Sequence, residues 1–228
     1  MPFLGLPDRL ADVRGRVDAA VRRGGHGQSV RLIAVTKTNG PDAVEAAYDA
    51  GIHDVGENKV QEALDKRTRV TGAAIAARWH MIGHLQSNKV RFLDGFHLVH
   101  SVDRTSLADT ISNWGVKCGA PIDVLVQVNV VGEWTKGGYA PAMIEAEAAR
   151  LRTLPGLNVH GVMAMAPLDA TESVLRTVFQ GAHATREIFC AAGHAAHELS
   201  MGMSGDYEIA IEEGATMVRL GSVLFGAR

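Results

Sequence analysis

The chain has 228 residues, of which 46% are hydrophobic and 21% are charged, and its formal net charge at pH 7 is −2. This length and apolar content suit one globular domain, residues 1–228, with ample material for a buried core. The near-neutral charge and a pI near 6.5 give no electrostatic case for nucleic acid or an anionic membrane as a partner.

The N-terminus and the cysteines indicate the compartment of the protein and whether it carries a membrane anchor. The first 22 residues contain three aspartates and lack a basic start followed by an apolar run, so we expect neither a signal peptide nor a membrane anchor. No apolar stretch approaches the ~20 residues that a transmembrane helix needs. The two cysteines, Cys118 and Cys190, do not form a secreted disulfide framework, and we interpret both as reduced thiols. We therefore expect a soluble, cytoplasmic protein.

The predicted elements of the first half alternate between strands and helices. A helix over residues 7–23 comes first, and two glycines end it. Four apolar or β-branched runs then predict strands, which cover residues 30–36, 52–55, 78–82 and 96–100. Each strand precedes a helical pattern, and these patterns begin near residues 41, 57, 86 and 103.

The second half repeats this rhythm. Residues 122–130 are nearly all aliphatic, which is typical of a strand buried on both faces. Further strands are predicted over residues 159–164, 197–201 and 217–220, and helices over residues 141–154, 172–189 and 206–213.

Eight strands, each followed by a helix or a short turn, favour one fold class. Alternating patterns of this kind predict a parallel sheet, and eight units in this length indicate a closed (β/α)8 TIM barrel with an extra N-terminal helix. A doubly wound open sheet is the alternative, because strand counts from one sequence are easily wrong by one or two. In a barrel, the active face lies at the carboxyl ends of the strands.

A lysine ends the first predicted strand. Alternation puts Ile33, Val35 and Lys37 on one face of that strand, with Lys37 at the mouth of the barrel. Burial disfavours the ammonium form, and a neutral amine is the form that attacks an aldehyde, so the position suits a Schiff-base lysine. The alternative is a lysine that extends from the strand end into solvent.

Two loops of small residues follow the seventh and eighth predicted strands. Ser204 stands where it can cap the next helix, and Gly221 and Ser222 follow the last strand. Backbone N–H groups in such loops bind anions, and these two loops often hold phosphate in barrels. Together with Lys37 they indicate an aldehyde cofactor with a phosphate, and pyridoxal 5′-phosphate (PLP) fits best. An aldolase-type barrel without PLP would use the same lysine and loops.

The histidines do not predict a metal site. His80 and His84 are four residues apart, but they straddle a predicted strand end and a glycine. The sequence contains neither His-x-His on the first strand nor an HExxH motif, so a barrel metallohydrolase lacks its ligands. We expect no bound metal.

Five motifs over residues 32–226 carry a family resemblance. They are LIAVTKT (32–38), GENKVQE (56–62), WHMIGHLQSNK (79–89), LSMGMS (199–204) and MVRLGS (217–222). With them the chain closely resembles the pyridoxal phosphate homeostasis proteins, also called the YggS/PROSC family. That family is similar to the N-terminal barrel domain of alanine racemase standing alone.

The resemblance implies a role for particular residues. Lys37 would be the Schiff-base lysine, and Arg219 would face the pyridine nitrogen of PLP. An arginine there does not give up a proton, so the ring nitrogen would stay unprotonated and PLP would be a weaker electron sink. The other implied cofactor-binding residues are Asn58 near the ring, Met201 lining the site, and Ser204, Gly221 and Ser222 at the phosphate.

Three positions bear on how far the resemblance extends. Asn39 stands where the family often has a basic residue, which puts in doubt an accessory lysine role there. Lys59 stands where an aromatic residue is common. Lys136 is either a transient second PLP site or a loop charge, and we favour the loop charge.

The resemblance implies a PLP carrier in intracellular PLP homeostasis, without strong turnover, that supplies apo PLP-dependent enzymes. The alternative is a PLP-dependent amino-acid racemase, which needs a base on each face of its substrate. Lys37 supplies one base, and in alanine racemases a tyrosine from a second domain of the partner subunit supplies the other. The sequence stops directly after the eighth predicted strand, so we expect no such domain, and we expect a monomer. Tyr48, Tyr139 and Tyr207 offer no obvious substitute.

Overall fold

The computed structural model describes residues 3–133 and 137–226. Within them, eight parallel strands form a closed barrel in sequence order, and the last strand pairs with the first. The strands are β1 (Arg31–Val35), β2 (Asp54–Glu57), β3 (Arg78–Met81), β4 (Leu98–Val102), β5 (Ile122–Val128), β6 (Leu157–Ala164), β7 (Glu198–Ser200) and β8 (Met217–Leu220). The predicted (β/α)8 barrel is confirmed, and the open doubly wound sheet is wrong.

Helices surround this barrel. They are α1 (Leu6–Gly24), α2 (Pro41–Asp49), α3 (Val60–Arg69), α4 (Thr105–Cys118), α5 (Ile144–Leu151), α6 (Glu172–Ala191), α7 (Tyr207–Glu212) and α8 (Ser222–Phe225). Three short 3-10 helices add Gly72–Ala76, Ser87–Phe92 and Pro141–Met143. No helix among the described residues combines the length and apolar character needed to cross a bilayer.

The N-terminal helix packs on the last helices of the barrel. Its buried residues recur at helical spacing, at Leu6, Leu10, Val13, Val17 and Ala20, and α1 contacts α7 and α8. Burying one such aliphatic side chain contributes about 1.5–3 kcal/mol. The extra helix of the sequence pattern therefore covers the seam where the chain closes the barrel.

Pairing with neighbouring strands moves some predicted boundaries. The helix predicted from residue 57 begins at Val60, because Glu57 pairs with Met81 as the last residue of β2. The fourth strand starts two residues later than predicted, because Phe96 is still in a turn that closes on Leu93. Register with a neighbour, which a single strand's pattern does not contain, decides where these strands begin and end.

The inside of the barrel combines apolar and polar side chains. One cluster of inward-facing residues is apolar and consists of Ile33, Leu98, Leu125, Met163 and Met217. Buried polar side chains share the interior, and they are Asp54, His80, His100, Ser200 and Arg219. These five polar residues extend from one end of the barrel to the other, and one of them, Arg219, reaches the candidate site.

Candidate functional site

A cavity of about 1030 Å³ opens at the carboxyl ends of the strands. Its walls include six of the seven cofactor-binding residues predicted from sequence, namely Lys37, Asn58, Ser204, Arg219, Gly221 and Ser222. They come from four separate segments of the chain, and the barrel brings them to one opening.

Lys37 is the second residue after the end of β1 and is half-buried at the mouth of the cavity. The next residue, Thr38, has a φ of 64°, a left-handed conformation that a β-branched residue rarely adopts. The Thr38 backbone N–H donates to Glu62 Oε1 of α3 over 2.5 Å. The neighbouring helix therefore holds the strained turn that follows Lys37.

A buried ion pair supports the same strand end. Lys66 Nζ, on α3, donates to the Thr36 carbonyl over 2.8 Å and to Glu57 Oε1 over 2.5 Å. Thr36 Oγ1 donates to the same carboxylate oxygen over 2.6 Å. Lys66 and Glu57 are 3% and 0% exposed, and burial raises the pKa of Glu57 against the opposing hydrogen bond from Lys66. This pair was not predicted from the sequence, because its residues lie nine positions apart on different elements.

Asn58 lies just beyond β2, and close backbone packing fixes its position. A Cβ atom at Gly83, in the loop after β3, would lie 2.7 Å from Asn58 Cα, closer than real side chains approach. The Gly83 carbonyl accepts a hydrogen bond of 2.6 Å from Ser101 Oγ. The loop after β3 therefore lies directly against the backbone of Asn58, and only glycine allows that approach.

The loops after β7 and β8 are tied to one another. Ser204 Oγ accepts hydrogen bonds from the backbone N–H groups of Gly221 and Val223, each over 3.3 Å. Gly202 has a φ of 91°, and a Cβ there would lie 2.7 Å from the Ala210 side chain. The two small-residue loops predicted from sequence thus form one rim of the cavity.

Arg219 projects from β8 into the barrel and reaches the floor of the cavity. Its Nη1 donates to Ser200 O and Ser200 Oγ, both over 2.7 Å, and its Nη2 donates to Ala164 O over 3.0 Å. Burial lowers the pKa of Arg219 to about 10, which leaves the guanidinium charged at neutral pH. A fixed cation therefore lies at the base of the cavity.

Met201 is the one predicted cofactor-binding residue that does not line the cavity. It is fully buried in the apolar layer between strands and helices. The reason is alternation: Ser200 points into the barrel, so the residue after it points outward. Met203, two residues on, lines the cavity instead.

Polar residues that were not predicted also line the cavity. His84 Nδ1 lies 3.0 Å from Asp103 Oδ2, and both residues face the opening. Gln127, on β5, donates from Nε2 to the Gly137 carbonyl over 2.7 Å. The available signal was a glutamine near the carboxyl end of a strand whose other residues, apart from Asp123, are aliphatic.

His80 and His84, which are not predicted to bind a metal, lie in different parts of the barrel. His80 is buried inside the barrel, whereas His84 is exposed at the cavity. Asp54, His80 and His97 do form a cluster at the opposite end of the barrel, but both oxygens of Asp54 already accept hydrogen bonds from Arg78, over 2.8 and 2.6 Å. An arginine that neutralises the carboxylate argues against a cation there.

The other positions discussed from the sequence differ in whether they line the cavity. Asn39 lines the cavity, and Lys59 is exposed outside it. Lys136 lies outside the described residues. None of the three tyrosines lines the cavity among the described residues. Tyr139 Oη instead donates to Glu147 Oε1 over 2.7 Å, and burial raises the pKa of Tyr139.

The fold and the site define the class of this protein, a (β/α)8 barrel with a lysine at the mouth of its cavity. The family model for the N-terminal domain of alanine racemase matches residues 10–228. A protein of Aquifex aeolicus named pyridoxal phosphate homeostasis protein is 40% identical over 224 residues, which cover 97% of each chain. The chain belongs to the family of pyridoxal phosphate homeostasis proteins.

Solved structures agree with this assignment. PipY of Synechococcus elongatus, solved with PLP bound, is 35% identical, with a TM-score of 0.85 over 97% of this chain and 100% of that one. The structure of PipY without PLP gives a TM-score of 0.87. An alanine racemase from Corynebacterium glutamicum is 14% identical, with a TM-score of 0.69 over 93% of this chain and 61% of its own. That distant likeness shows the shared fold alone.

Proposed function

We propose that this protein binds PLP as a Schiff base on Lys37 and acts as a carrier in intracellular PLP homeostasis. The observation that carries the proposal is the convergence of Lys37, Arg219 and the tied loops of Ser204 and Gly221 on one cavity. The name of the Aquifex aeolicus relative and the PLP bound to PipY support the same conclusion.

The residues present fit the chemical groups of PLP. The cavity lies at the upper end of the range of about 300–1,000 Å³ for small-molecule sites. The Lys37 amine would hold the cofactor through its aldehyde group, as a Schiff base. The Ser204 and Ser222 hydroxyls and the loop at Gly221 would hold the phosphate. A Cβ at Gly221 would lie 3.6 Å from the Cβ of Val35, another residue of the cavity wall.

Arg219 sets what the bound cofactor can do. When bound, PLP supplies an electron sink whose strength depends on protonation of its ring nitrogen. An arginine only donates hydrogen bonds, so Arg219 would hold that nitrogen as an acceptor. Asn58 would contact the ring. This arrangement favours holding the cofactor over strong turnover.

The racemase alternative needs a second base opposite Lys37. None of the tyrosines among the described residues lines the cavity, so the usual partner residue has no counterpart there. We therefore favour the carrier, as a monomeric, cytoplasmic, single-domain protein of residues 1–228 that passes PLP to apo PLP-dependent enzymes.

Titration of the purified protein with PLP tests the proposal. We expect a yellow complex that saturates at one equivalent and no interconversion of L- and D-alanine by the complex. A protein that stays colourless with added PLP would overturn the proposal in favour of the aldolase-type barrel without PLP. Measurable alanine racemisation would instead favour the enzyme alternative.

A further inference from the structure

A chain of hydrogen bonds runs through the barrel from the cavity to its opposite end. Arg219 Nη1 lies 2.7 Å from Ser200 Oγ, and Ser200 Oγ lies 2.8 Å from His100 Nδ1. His100 Nε2 lies 2.9 Å from His80 Nδ1, and His80 Nε2 lies 2.9 Å from Asp54 Oδ1. All five residues are buried. We call these five residues the interior polar chain.

The two ends of the interior polar chain fix the direction of every bond in it. Arg219 only donates hydrogen bonds, and an ionised carboxylate only accepts them. Burial opposes ionisation of Asp54, but hydrogen bonds from Arg78 and His80 hold its pKa below the usual range. With neutral histidines, Ser200 then donates to His100 Nδ1, His100 Nε2–H donates to His80, and His80 Nε2–H donates to Asp54.

The surroundings keep both histidines neutral. Burial lowers the pKa of His100 well below its usual value, and the nearby His80, Arg219, Arg31 and His97 add to the effect. Burial also lowers the pKa of His80, which His97 and Arg31 reinforce and Asp54 opposes. A neutral imidazole has one donor and one acceptor nitrogen, as the one-way direction of the interior polar chain requires.

We propose that Ser200, His100 and His80 are positioning residues that hold Arg219 at the base of the cavity, through two neutral histidines protonated at Nε2. A hydrogen-bonded chain polarised in one direction strengthens each of its bonds. The Ser200 hydroxyl is therefore a better acceptor for the guanidinium than an isolated serine. The consequence for the ring nitrogen of PLP rests on the proposed function, whereas the protonation pattern does not.

Nitrogen NMR of the unliganded protein tests the pattern directly. Long-range proton–nitrogen spectra of ¹⁵N-labelled protein distinguish Nε2–H, Nδ1–H and charged imidazoles. We expect His80 and His100 both to be neutral and protonated at Nε2 at pH 7. A charged His80, or a His100 protonated at Nδ1, would reverse the direction of the interior polar chain and overturn the proposal.

Ser200→Ala tests the positioning role. The variant removes the donor to His100 Nδ1 and one acceptor of Arg219, so the His100 signals should shift and PLP should bind about tenfold more weakly, the effect of losing one hydrogen bond to a charged group. Ser112→Ala is the matched control, because Ser112 is equally buried but bonds to the Gly156 backbone N–H. It should leave both readouts unchanged.

The outcomes separate the two proposals. A wild-type protein that does not bind PLP contradicts the proposed function and leaves the NMR test of the interior polar chain intact. If the wild-type protein binds PLP and Ser200→Ala has the same His100 signals and the same PLP affinity, only the positioning role is contradicted.

Discussion

At the scale of single residues, the end of β1 depends on one ion pair shielded from water. Lys66 neutralises Glu57 and at the same time bonds to the carbonyl of Thr36, one residue before Lys37. Removing one member of a buried pair leaves an uncompensated charge, which costs far more than the pair itself contributes. The pair therefore couples the stability of the fold to the geometry of the lysine.

Lys66→Met should lower the free energy of unfolding by about 3–5 kcal/mol, because the Glu57 carboxylate loses its counter-ion while still buried. Urea denaturation measures the change. Arg69→Met is the control, since Arg69 pairs with Asp65 on the surface, where such pairs contribute about 0–1 kcal/mol. Equal losses in the two variants would contradict the role assigned to burial.

His100 gives the stability a predictable dependence on pH. Its folded-state pKa is lowered by burial, whereas in the unfolded chain it is about 6.5. Below that pH the unfolded state binds a proton that the folded state does not, so stability is full above it and is lost as the pH falls.

His100→Gln should therefore flatten the fall in unfolding free energy between about pH 6.5 and 5, by up to about 1.4 kcal/mol per pH unit for one proton. Urea denaturation at several pH values measures the slope. Ser112→Ala, at a buried residue that does not titrate in this range, should keep the wild-type slope. An unchanged slope in His100→Gln would contradict the lowered pKa of His100 in the folded protein.

At the scale of elements, the site is built where loops of neighbouring strands touch. The loop after β3 lies against Asn58 after β2, and the loop after β7 bonds to the loop after β8. These contacts were not predictable from sequence, because periodicity locates an element but not its distance from its neighbour. Met201 illustrates the same limit: its motif was recognised, but the alternation about Ser200 turns it away from the cavity.

Gly83→Ala should have a larger effect on the affinity for PLP than on the free energy of unfolding. The added Cβ would meet the Asn58 backbone, so the loop after β3 must move and carry Asn58 with it. Absorbance titration with PLP, paired with urea denaturation, separates the two effects.

Gly15→Ala is the matched control. Gly15 lies in α1 with open space around its Cβ position, and alanine there should stabilise the helix by about 0.5–1 kcal/mol. It should leave PLP affinity unchanged. Unchanged affinity in Gly83→Ala would mean that Asn58 does not need this contact.

At the scale of the whole molecule, the sequence predicted the barrel and six of the residues that line the cavity. Strand and helix patterns are local, so their alternation is readable, and Lys37 and the small-residue loops lie at strand ends that the fold must bring together. The interior polar chain was not readable. His100 and Ser200 are 100 residues apart and meet only when the barrel closes.

Sedimentation velocity should show a monomer across micromolar concentrations. We propose a monomer because the residues proposed to hold PLP all belong to one chain. A stable dimer at these concentrations would contradict the proposed monomer.

Borohydride reduction tests the covalent attachment of PLP to Lys37. The PLP-saturated protein should carry a pyridoxyl group after reduction, and mass spectrometry of its peptides should locate that group on Lys37. Lys37→Ala should lose the label, whereas Lys59→Ala, at an exposed lysine outside the cavity, should retain it. A label on another lysine, or wild-type labelling in Lys37→Ala, would contradict the claim.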